Sequence, residues 1–265
     1  MDILIPTYNR PAALAVTLTS LLAQDLTLRI VISDQGEIEA HAVPEVKAVC
    51  RVLEACGHTV VWHHHRPRRG LAEQRDFLLS HACSRFALFL DDDVILAPCG
   101  LVPLRTTLEK EACGFVGYGL IGLSYRDDVR LHEQDVEYWA GPVKPELVTP
   151  GSPAWERYKL HNAANLYHLG AGVPGMRRYR VAWIGGCVLY DVSCLRAVGG
   201  FSFWRQLPKD HCGEDVLAQL RVMARFGGCG LLPSRAYHQE LQTTIAEREV
   251  DAAKLLFADR SAHCE

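Results

Sequence analysis

Residues 85–96 read Arg-Phe-Ala-Leu-Phe-Leu-Asp-Asp-Asp-Val-Ile-Leu, so an apolar run leads directly into three carboxylates. The short run, rich in Phe and Leu, is typical of a strand that is buried on both faces of a sheet. Three adjacent acids repel one another and lose hydration unless a positive charge lies among them, and a divalent cation with oxygen ligands meets that need. Because side chains alternate along a strand, Asp91 and Asp93 should point one way and Asp92 another. At this point a solvated acidic turn that caps the helix after Pro98 is an equal alternative.

The chain before this stretch alternates strands with helices. Apolar spacing predicts strands over 3–5, 28–32 and 59–62 and helices over 11–24, 43–56 and 71–83. Such alternation favours an α/β fold, in which a parallel sheet is covered by helices on both faces. Ligands of these sheets bind beyond the carboxyl ends of the strands, where Asp34, residues 66–70 and the three acids all fall. The sequence therefore predicts one shared site at that edge.

The chain after this stretch is less regular. A helix over 100–112 and a strand over 115–122 come first, and regular patterns return over 181–190, 192–198, 216–226 and 229–232. Between them, residues 124–180 hold most of the tyrosines and many Pro and Gly residues, with little periodicity. Loops of this length are usually functional or mobile, so we expect this one to form the acceptor side and a lid that orders on ligand binding.

Composition is that of an ordinary soluble globular protein. The chain has 265 residues, of which 49% are hydrophobic and 22% charged, and its formal net charge is −3. This charge gives no electrostatic reason to expect nucleic acid as a partner, and no apolar stretch reaches the ~18 residues that span a membrane. The ten cysteines include no Cys-x-x-Cys pair, and no signal peptide precedes the first predicted strand. We therefore expect reduced thiols and a cytoplasmic location, and leave peripheral membrane contact and the oligomeric state open.

Eight short motifs occur in an order that is similar to one known family. They are residues 3–10 (Ile-Leu-Ile-Pro-Thr-Tyr-Asn-Arg), 30–34 (Ile-Val-Ile-Ser-Asp), 70–76 (Gly-Leu-Ala-Glu-Gln-Arg-Asp), 89–93 (Phe-Leu-Asp-Asp-Asp), 185–186 (Gly-Gly), 199–201 (Gly-Gly-Phe), 213–215 (Gly-Glu-Asp) and 237–238 (Tyr-His). Together they resemble the family-2 glycosyltransferases of the GT-A fold over nearly the whole chain, with Asp76 where Asn is commoner. Each motif alone is weak evidence, whereas the ordered set is specific.

The resemblance implies a single GT-A domain over 1–265, with a Rossmann-like, mostly parallel sheet flanked by helices and an irregular acceptor-side half. Residues 1–117 would bind the nucleotide-sugar, residues 118–238 would form the acceptor and catalytic half, and residues 239–265 would be a helical tail. The implied reaction is the inverting transfer of a sugar from a nucleotide diphosphate-sugar to a hydroxyl of a glycan, lipid or small molecule. UDP is favoured over GDP or dTDP as the nucleotide.

The resemblance also implies a metal and donor site. Mn²⁺ or Mg²⁺ would be held by Asp93, with Asp91 and His238 as further ligands, and would neutralise the leaving diphosphate. His238 could equally be an ordinary half-buried histidine, and Arg75 could pair with its neighbours Glu73 or Asp76 instead of reaching the donor. The implied donor-binding residues are Pro6, Thr7, Tyr8, Arg10, Asp34, Gly70, Arg75, Asp91 and Asp92.

On the acceptor side, the resemblance implies a general base in the Glu-Asp pair. Asp215 would deprotonate the acceptor hydroxyl, with Glu214 as a close second, although both carboxylates could simply stabilise a helix start. The pair Gly185-Gly186 would permit close approach of a sugar, and a strand bulge is an equal alternative.

Two other functions remain open from the sequence. A sugar-phosphate nucleotidyltransferase is expected to have a Gly-rich loop after the first strand. Residues 6–11 contain no glycine, which counts against this function. A non-catalytic nucleotide-sugar-binding module would not need the full set of acids. Other polar clusters are interpreted as a polar strand end rather than a metal site (residues 63–65), a solvated basic loop with a phosphate clamp as the alternative (66–69), and either a loop over the donor or a surface charge cluster (177–180).

Overall fold

The computed structural model describes residues 1–244 and 248–257. Within them the strands are β1 (Asp2–Thr7), β2 (Arg29–Asp34), β3 (Thr59–His64), β4 (Phe86–Leu90), β5 (Val94–Leu96), β6 (Phe115–Gly117), β7 (Arg177–Tyr179), β8 (Cys187–Asp191), β9 (Gly228–Leu232) and β10 (Ala236–His238). Eight of them form one sheet in the order β3-β2-β1-β4-β8-β6-β9-β7, and β5 pairs with β10 in a small second sheet. The acidic stretch therefore connects the middle of the large sheet to the small one.

The large sheet is mostly parallel, as the sequence predicts. β1 runs parallel to β2 and β4, β2 to β3, and β6 to β9. Two strands depart from the fully parallel sheet that strand and helix alternation favours: β8 is antiparallel to β4 and β6, and β7 is antiparallel to β9. The reversal of β8 has a local cause, because β8 begins at the edge where β4 ends and the amide of Asp91 donates to the carbonyl of Gly186 at 2.9 Å.

Helices cover both faces of this sheet, which confirms the α/β prediction. They are α1 (Pro11–Leu21), α2 (Pro44–Ala55), α3 (Leu71–Ser80), α4 (Leu101–Glu111), α5 (Asn165–Gly170), α6 (Val192–Ala197), α7 (Glu214–Phe226) and α8 (Ala252–Phe257). Alternate strand residues divide between two apolar cores: Ile3 and Ile5 face α1, α2 and α4, whereas Leu4 and Phe89 face α3, α6 and α7. Among the described helices, none is long and apolar enough to cross a lipid bilayer.

The segment 124–180 is irregular, as predicted, but it is held together by charged and aromatic contacts. Arg157, in the 3₁₀ helix Pro153–His161, pairs with Glu137 at 2.7 Å and with Glu146 at 2.8 Å. The guanidinium of Arg177, on β7, lies 3.5 Å from the centre of the Tyr138 ring. The prediction that residues 177–180 cover the donor is wrong, because β7 is the edge strand on the opposite side of the sheet from β1, β2 and β3.

The largest differences from the predicted element boundaries are three. The strand expected over 115–122 ends at Gly117, because the chain then turns and Ile121 pairs with Tyr237 of β10. The strand expected over 181–190 begins only at Cys187, since residue Ile184 hydrogen-bonds to a side chain of α7 instead of a strand. The tail after His238 is helical only over Ala252–Phe257 within the described residues, and residues 245–247 and 258–265 lie outside them.

Candidate active site

A cleft opens at the carboxyl ends of β1 and β4, beside the end of β10. Eight of the residues predicted from the sequence line it: Pro6, Thr7, Tyr8, Arg10, Asp91, Asp92, Asp93 and His238. Further lining residues were not predicted as site residues: Gln35, Arg68, Leu71, Gln74, Leu241, Thr243, Thr244 and Arg248. The convergence of strand ends on one edge, expected from the parallel sheet, is therefore what the structure has.

The three acids after β4 point to different partners. Asp92 is buried and accepts a hydrogen bond from the Thr7 hydroxyl at 2.6 Å. Burial raises the pKa of its carboxyl to about 7, although the Thr7 hydrogen bond opposes the shift. The Thr17 hydroxyl donates to the backbone carbonyl of Asp92 at 2.8 Å. Asp92 thus fixes β1 and α1 to the acidic stretch. The predicted alternation is not seen, because Nη1 of Arg10 contacts both Asp92, at 3.5 Å, and Asp93, at 2.7 Å.

Asp93 is surrounded by positive groups. Its Oδ2 accepts from Nη1 of Arg10 at 2.7 Å and lies 3.4 Å from Nε2 of His238. Burial opposes ionisation of Asp93, but the contacts with His238 and Arg10 outweigh it and lower the pKa of the carboxyl. The hydrogen bond with Asp93 raises the pKa of His238 in turn. A second Arg10 nitrogen donates to the carbonyl of Gln242, on the segment that follows β10.

These residues fit a divalent cation with few protein ligands. Among the described residues, no three or more His, Cys, Asp and Glu side chains are grouped to hold a metal. Asp93 nevertheless offers a carboxylate oxygen, which suits Mn²⁺, and Nε2 of His238 lies beside it. Nδ1 of His238 accepts from the amide of Glu240 at 2.9 Å, so the ring must give up that bond and change tautomer before Nε2 can bind a metal. The Arg10 guanidinium at the same oxygen marks this as a position that favours positive charge. Two protein ligands would leave several coordination positions for the oxygens of a diphosphate.

Arg75 joins the acidic stretch to the Glu-Asp pair at the start of α7. The guanidinium is buried, donates from Nη2 to Asp91 Oδ1 at 2.8 Å, and donates from Nε to Glu214 Oε1 at 3.1 Å. The partners considered from the sequence are wrong, because Glu73 and Asp76 bind other side chains. Arg75 therefore lies beneath the cleft and connects two parts of the site, and Asp91 is held by it rather than aimed at Asp93.

The structure separates Glu214 from Asp215. Glu214 is buried and occupied by Arg75, whereas Asp215 is only partly buried and accepts from its neighbouring amide, that of Val216, at 2.9 Å. Burial raises the pKa of both carboxyls, and the nearby charge of Glu214 raises that of Asp215 further. A carboxylate with a raised pKa is a stronger base near neutral pH. Glu214 is thus held by Arg75, whereas Asp215 is the more accessible of the two carboxyls.

The loop before this pair is fastened by residues to which the sequence analysis gave no role. His211 is buried, donates from Nδ1 to the Pro208 carbonyl at 2.8 Å, and accepts from the amide of Ala72 at 3.1 Å. Arg68 pairs with Asp210 at 3.0 Å. A histidine placed just before a Gly-Glu-Asp motif is the only signal that the sequence offers for this role.

Asp34 is occupied by the loop that follows it. It is buried, and its two oxygens accept from the amides of Gly36 at 2.8 Å and Ala40 at 2.6 Å. The side chain of Asn9 accepts from the amide of Glu37 at 2.8 Å, which ties the loops after β1 and β2 together. Asp34 therefore shapes the loop that brings the neighbouring Gln35 to the cleft.

The predicted glycines have three different surroundings. Gly70 has φ +107, and a Cβ there would lie 2.5 Å from the Lys209 carbonyl, so only glycine fits between α3 and the loop before α7. Gly186 has φ +71, and a Cβ would lie 2.7 Å from Leu120 and 3.2 Å from Asp91. A Cβ at Gly185 would meet no heavy atom within 4 Å. Gly185 therefore borders open space that a ligand can occupy.

Residues 63–65 lie at the end of β3, where the sequence predicts a polar strand end. The rings of His63 and His65 both contact Phe77, so they share one face of β3 as expected. His65 also binds Glu73 at 2.8 Å.

Comparison with known proteins finds a matching family model and solved structures with a similar fold. The model of Glycosyl transferase family 2 matches residues 2–179. The crystal structure of S. aureus TarS has a TM-score of 0.56 at 15% identity, over 89% of this chain and 36% of that one. The crystal structure of S. aureus TarS 1-349 in complex with UDP-GlcNAc has a TM-score of 0.56 at 15% identity, over 92% of this chain and 59% of that one. This chain thus spans less than two thirds of either, and no curated protein sequence matches it.

At such low identity the likeness to TarS shows the fold alone, while the family match rests on the sequence itself. That match covers more than half of the chain and includes the strands and the acidic stretch that form the cleft. The protein belongs to glycosyl transferase family 2 and has the GT-A fold.

Proposed function

We propose that this enzyme transfers a sugar from a nucleotide diphosphate-sugar to an acceptor hydroxyl, with inversion and with a divalent cation bound at Asp93 and His238. The observation that carries the proposal is the Arg75 link, which holds Asp91 and Glu214 on one guanidinium. This link connects Asp91, which lines the cleft, to the first residue of α7, next to the partly buried Asp215. Residues 1–117 form the donor half and residues 118–238 the acceptor half.

The donor would lie along the cleft between the loops after β1 and β2. Tyr8 and Arg68 stack, with the guanidinium 4.7 Å above the ring, and both line this space. Arg10, Arg68 and Arg248 supply positive charge for a diphosphate. TarS, which has this fold, was solved with UDP-GlcNAc, so UDP-sugars are the first donors to test.

Asp93 and His238 would hold the cation, which when bound neutralises the charge that develops on the leaving diphosphate. Arg10 has to leave Asp93 for this to happen, and its guanidinium is then free to bind a phosphate oxygen. The adjacent Asp92 stays with Thr7 and keeps the acidic stretch in place.

On the acceptor side, Asp215 accepts the proton of the acceptor hydroxyl. The hydroxyl oxygen forms a bond to the anomeric carbon while the bond from that carbon to the diphosphate oxygen breaks, and the diphosphate leaves with the electron pair. A single displacement of this kind inverts the anomeric centre. Gly185 leaves room for a sugar beside Asp91 and Gly186.

The test is a panel of nucleotides and nucleotide-sugars with and without Mn²⁺, measured by calorimetry and by release of the nucleotide. We expect UDP and at least one UDP-sugar to bind only when Mn²⁺ is present, and Asp93→Ala to abolish this Mn²⁺-dependent binding. Asp128→Ala, which removes an exposed acid paired with Arg130, is the control and should behave like the wild type. Metal-independent binding, or full Mn²⁺-dependent activity in Asp93→Ala, would contradict the proposed cation site.

A further inference from the structure

Gln219 is a buried polar side chain in the interior of α7, one turn after Asp215. It is completely buried, and both ends of its amide bind the backbone of one residue. Nε2 donates to the carbonyl of Ile184 at 2.7 Å, and Oε1 accepts from the amide of Ile184 at 2.8 Å. These bonds take the place of the strand pairing that Ile184 would make if β8 began where the sequence pattern predicts.

Ile184 directly precedes the glycine pair beside the acidic stretch. The carbonyl of Gly186 accepts from the amide of Asp91 at 2.9 Å, and the φ of +71 at Gly186 turns the chain toward that contact. A continuous set of hydrogen bonds therefore runs from α7, through Gln219 and the backbone of residues 184–186, to the first acid after β4.

Arg75 makes a second connection between the same two parts of the molecule. It binds Glu214 at the first residue of α7, whereas Gln219 binds from the second turn of the helix. Buried apolar residues such as Leu217, Leu220 and Met223 pack α7 into the core. The two polar contacts, five residues apart in sequence, link this packed helix to the acidic stretch and to residues 184–186.

We infer that Gln219 is a positioning residue for sugar transfer: through Ile184 it holds the Gly185-Gly186 backbone at a fixed place relative to Asp215. The inference rests on the proposed function. A sugar that occupies the open space over Gly185 then meets the base at a set distance. Because Gln219 contacts only protein backbone, its loss should lower the transfer rate and leave nucleotide affinity unchanged, since a small misplacement of reacting groups is costly.

Three variants test this inference. Gln219→Met has similar length but no amide, and Gln219→Glu is the conservative variant. Gln24→Met is the matched control, because Gln24 is also buried and bonds to the backbone of Ser20, Ala97 and Leu101 outside the cleft. The readouts are turnover of the nucleotide-sugar that the panel identifies, and the Kd for UDP with Mn²⁺ by calorimetry.

For Gln219→Met we expect turnover per folded molecule to fall about 10- to 100-fold while the Kd for UDP stays within about twofold. Gln24→Met should lose thermal stability but keep both quantities. Activity of Gln219→Glu relative to wild type at the same pH should rise as the pH falls, because a protonated carboxyl can again donate to the Ile184 carbonyl and accept from its amide. Wild-type turnover in Gln219→Met, an equal loss in Gln24→Met, or an equal loss of UDP affinity would overturn the inference.

A second readout separates this inference from the proposed function. Amide hydrogen exchange of residues 184–187 should accelerate in Gln219→Met and stay unchanged in Gln24→Met, whether or not any donor is turned over. Wild-type protein that turns over no nucleotide-sugar would defeat the proposed function, whereas unchanged exchange in Gln219→Met would defeat the positioning role itself.

Discussion

The donor side and the acceptor side of the site are built by different means. On the donor side, Thr7 and Asp34 end neighbouring parallel strands, and the acidic stretch follows the next strand in the sheet. Many backbone hydrogen bonds fix these ends together. On the acceptor side, Gly186 and Asp215 lie on an irregular segment and at a helix start, and a few buried side chains hold them. Single substitutions should therefore disturb the acceptor side far more than the donor side.

The largest effect should follow from removing the side chain that joins the two sides. Arg75→Met leaves the buried carboxylate of Glu214 without its partner, and breaking a buried ion pair costs about 3 kcal/mol or more. We expect this loss in the free energy of unfolding, measured by urea denaturation.

Arg85→Met is the matched control for Arg75→Met. Arg85 pairs with Asp191 at 3.3 Å, but its side chain is 68% exposed, so the loss should stay below about 1 kcal/mol. Equal losses in the two variants would mean that the Arg75 bridge is no stronger than a surface ion pair.

The adjacent glycines of the acceptor side provide a second, smaller test. Gly186→Ala places a Cβ at φ +71 and 2.7 Å from Leu120, and the left-handed conformation alone costs about 1–2 kcal/mol. Gly185→Ala meets no protein atom, so its unfolding free energy should change by less than about 1 kcal/mol.

The turnover of the two glycine variants should not follow the order of their unfolding free energies. A methyl group at Gly185 enters the space that we assign to the sugar, so turnover should fall although the protein stays stable. If Gly185→Ala keeps full turnover, no sugar lies over this residue.

Much of the donor side could be predicted from the sequence, because strand ends in a parallel sheet converge and apolar runs reveal the strands. The position of the acidic stretch and of the cleft-lining residues Pro6, Thr7, Tyr8 and Arg10 follows from that rule. Asp34 shows its limit: the rule places it at the right edge but does not reveal that two amides of its own loop occupy it.

The acceptor side could be predicted only as a set of motifs. Contacts such as Gln219 with Ile184 and His211 with Ala72 join residues that are 35 and 139 positions apart. Neither pair leaves a periodic pattern, since each depends on how an irregular segment packs against a helix. For the same reason the sequence predicts the wrong partners for Arg75, namely its neighbours in the chain.

Acid should destabilise the acceptor side as well. His161 is partly buried in the irregular segment and hydrogen-bonds to the Tyr179 hydroxyl at 3.0 Å. Burial lowers the pKa of His161 to about 4. Between pH 6.5 and 4 this histidine is therefore protonated in the unfolded chain but stays neutral in the folded protein. The unfolding free energy therefore falls as the pH drops from 6.5 toward 4, by at most about 1.4 kcal/mol per pH unit.

The measurement for His161 is the pH dependence of urea unfolding in the wild type and in His161→Gln. The difference between the two slopes isolates this one histidine from other buried groups. A variant with the same slope as the wild type would show that His161 titrates normally in the folded protein.

The most direct test of the whole account asks whether donor binding and proton transfer reside in separate regions. Asp215→Asn keeps the shape of the side chain but cannot accept a proton at neutral pH. Measured side by side with Glu214→Gln, it should bind UDP with Mn²⁺ as tightly as wild type while turnover falls by about 10²-fold or more. Glu214→Gln should lose less turnover. Retained turnover in Asp215→Asn, or a loss of UDP affinity as large as the loss of turnover, would contradict the account.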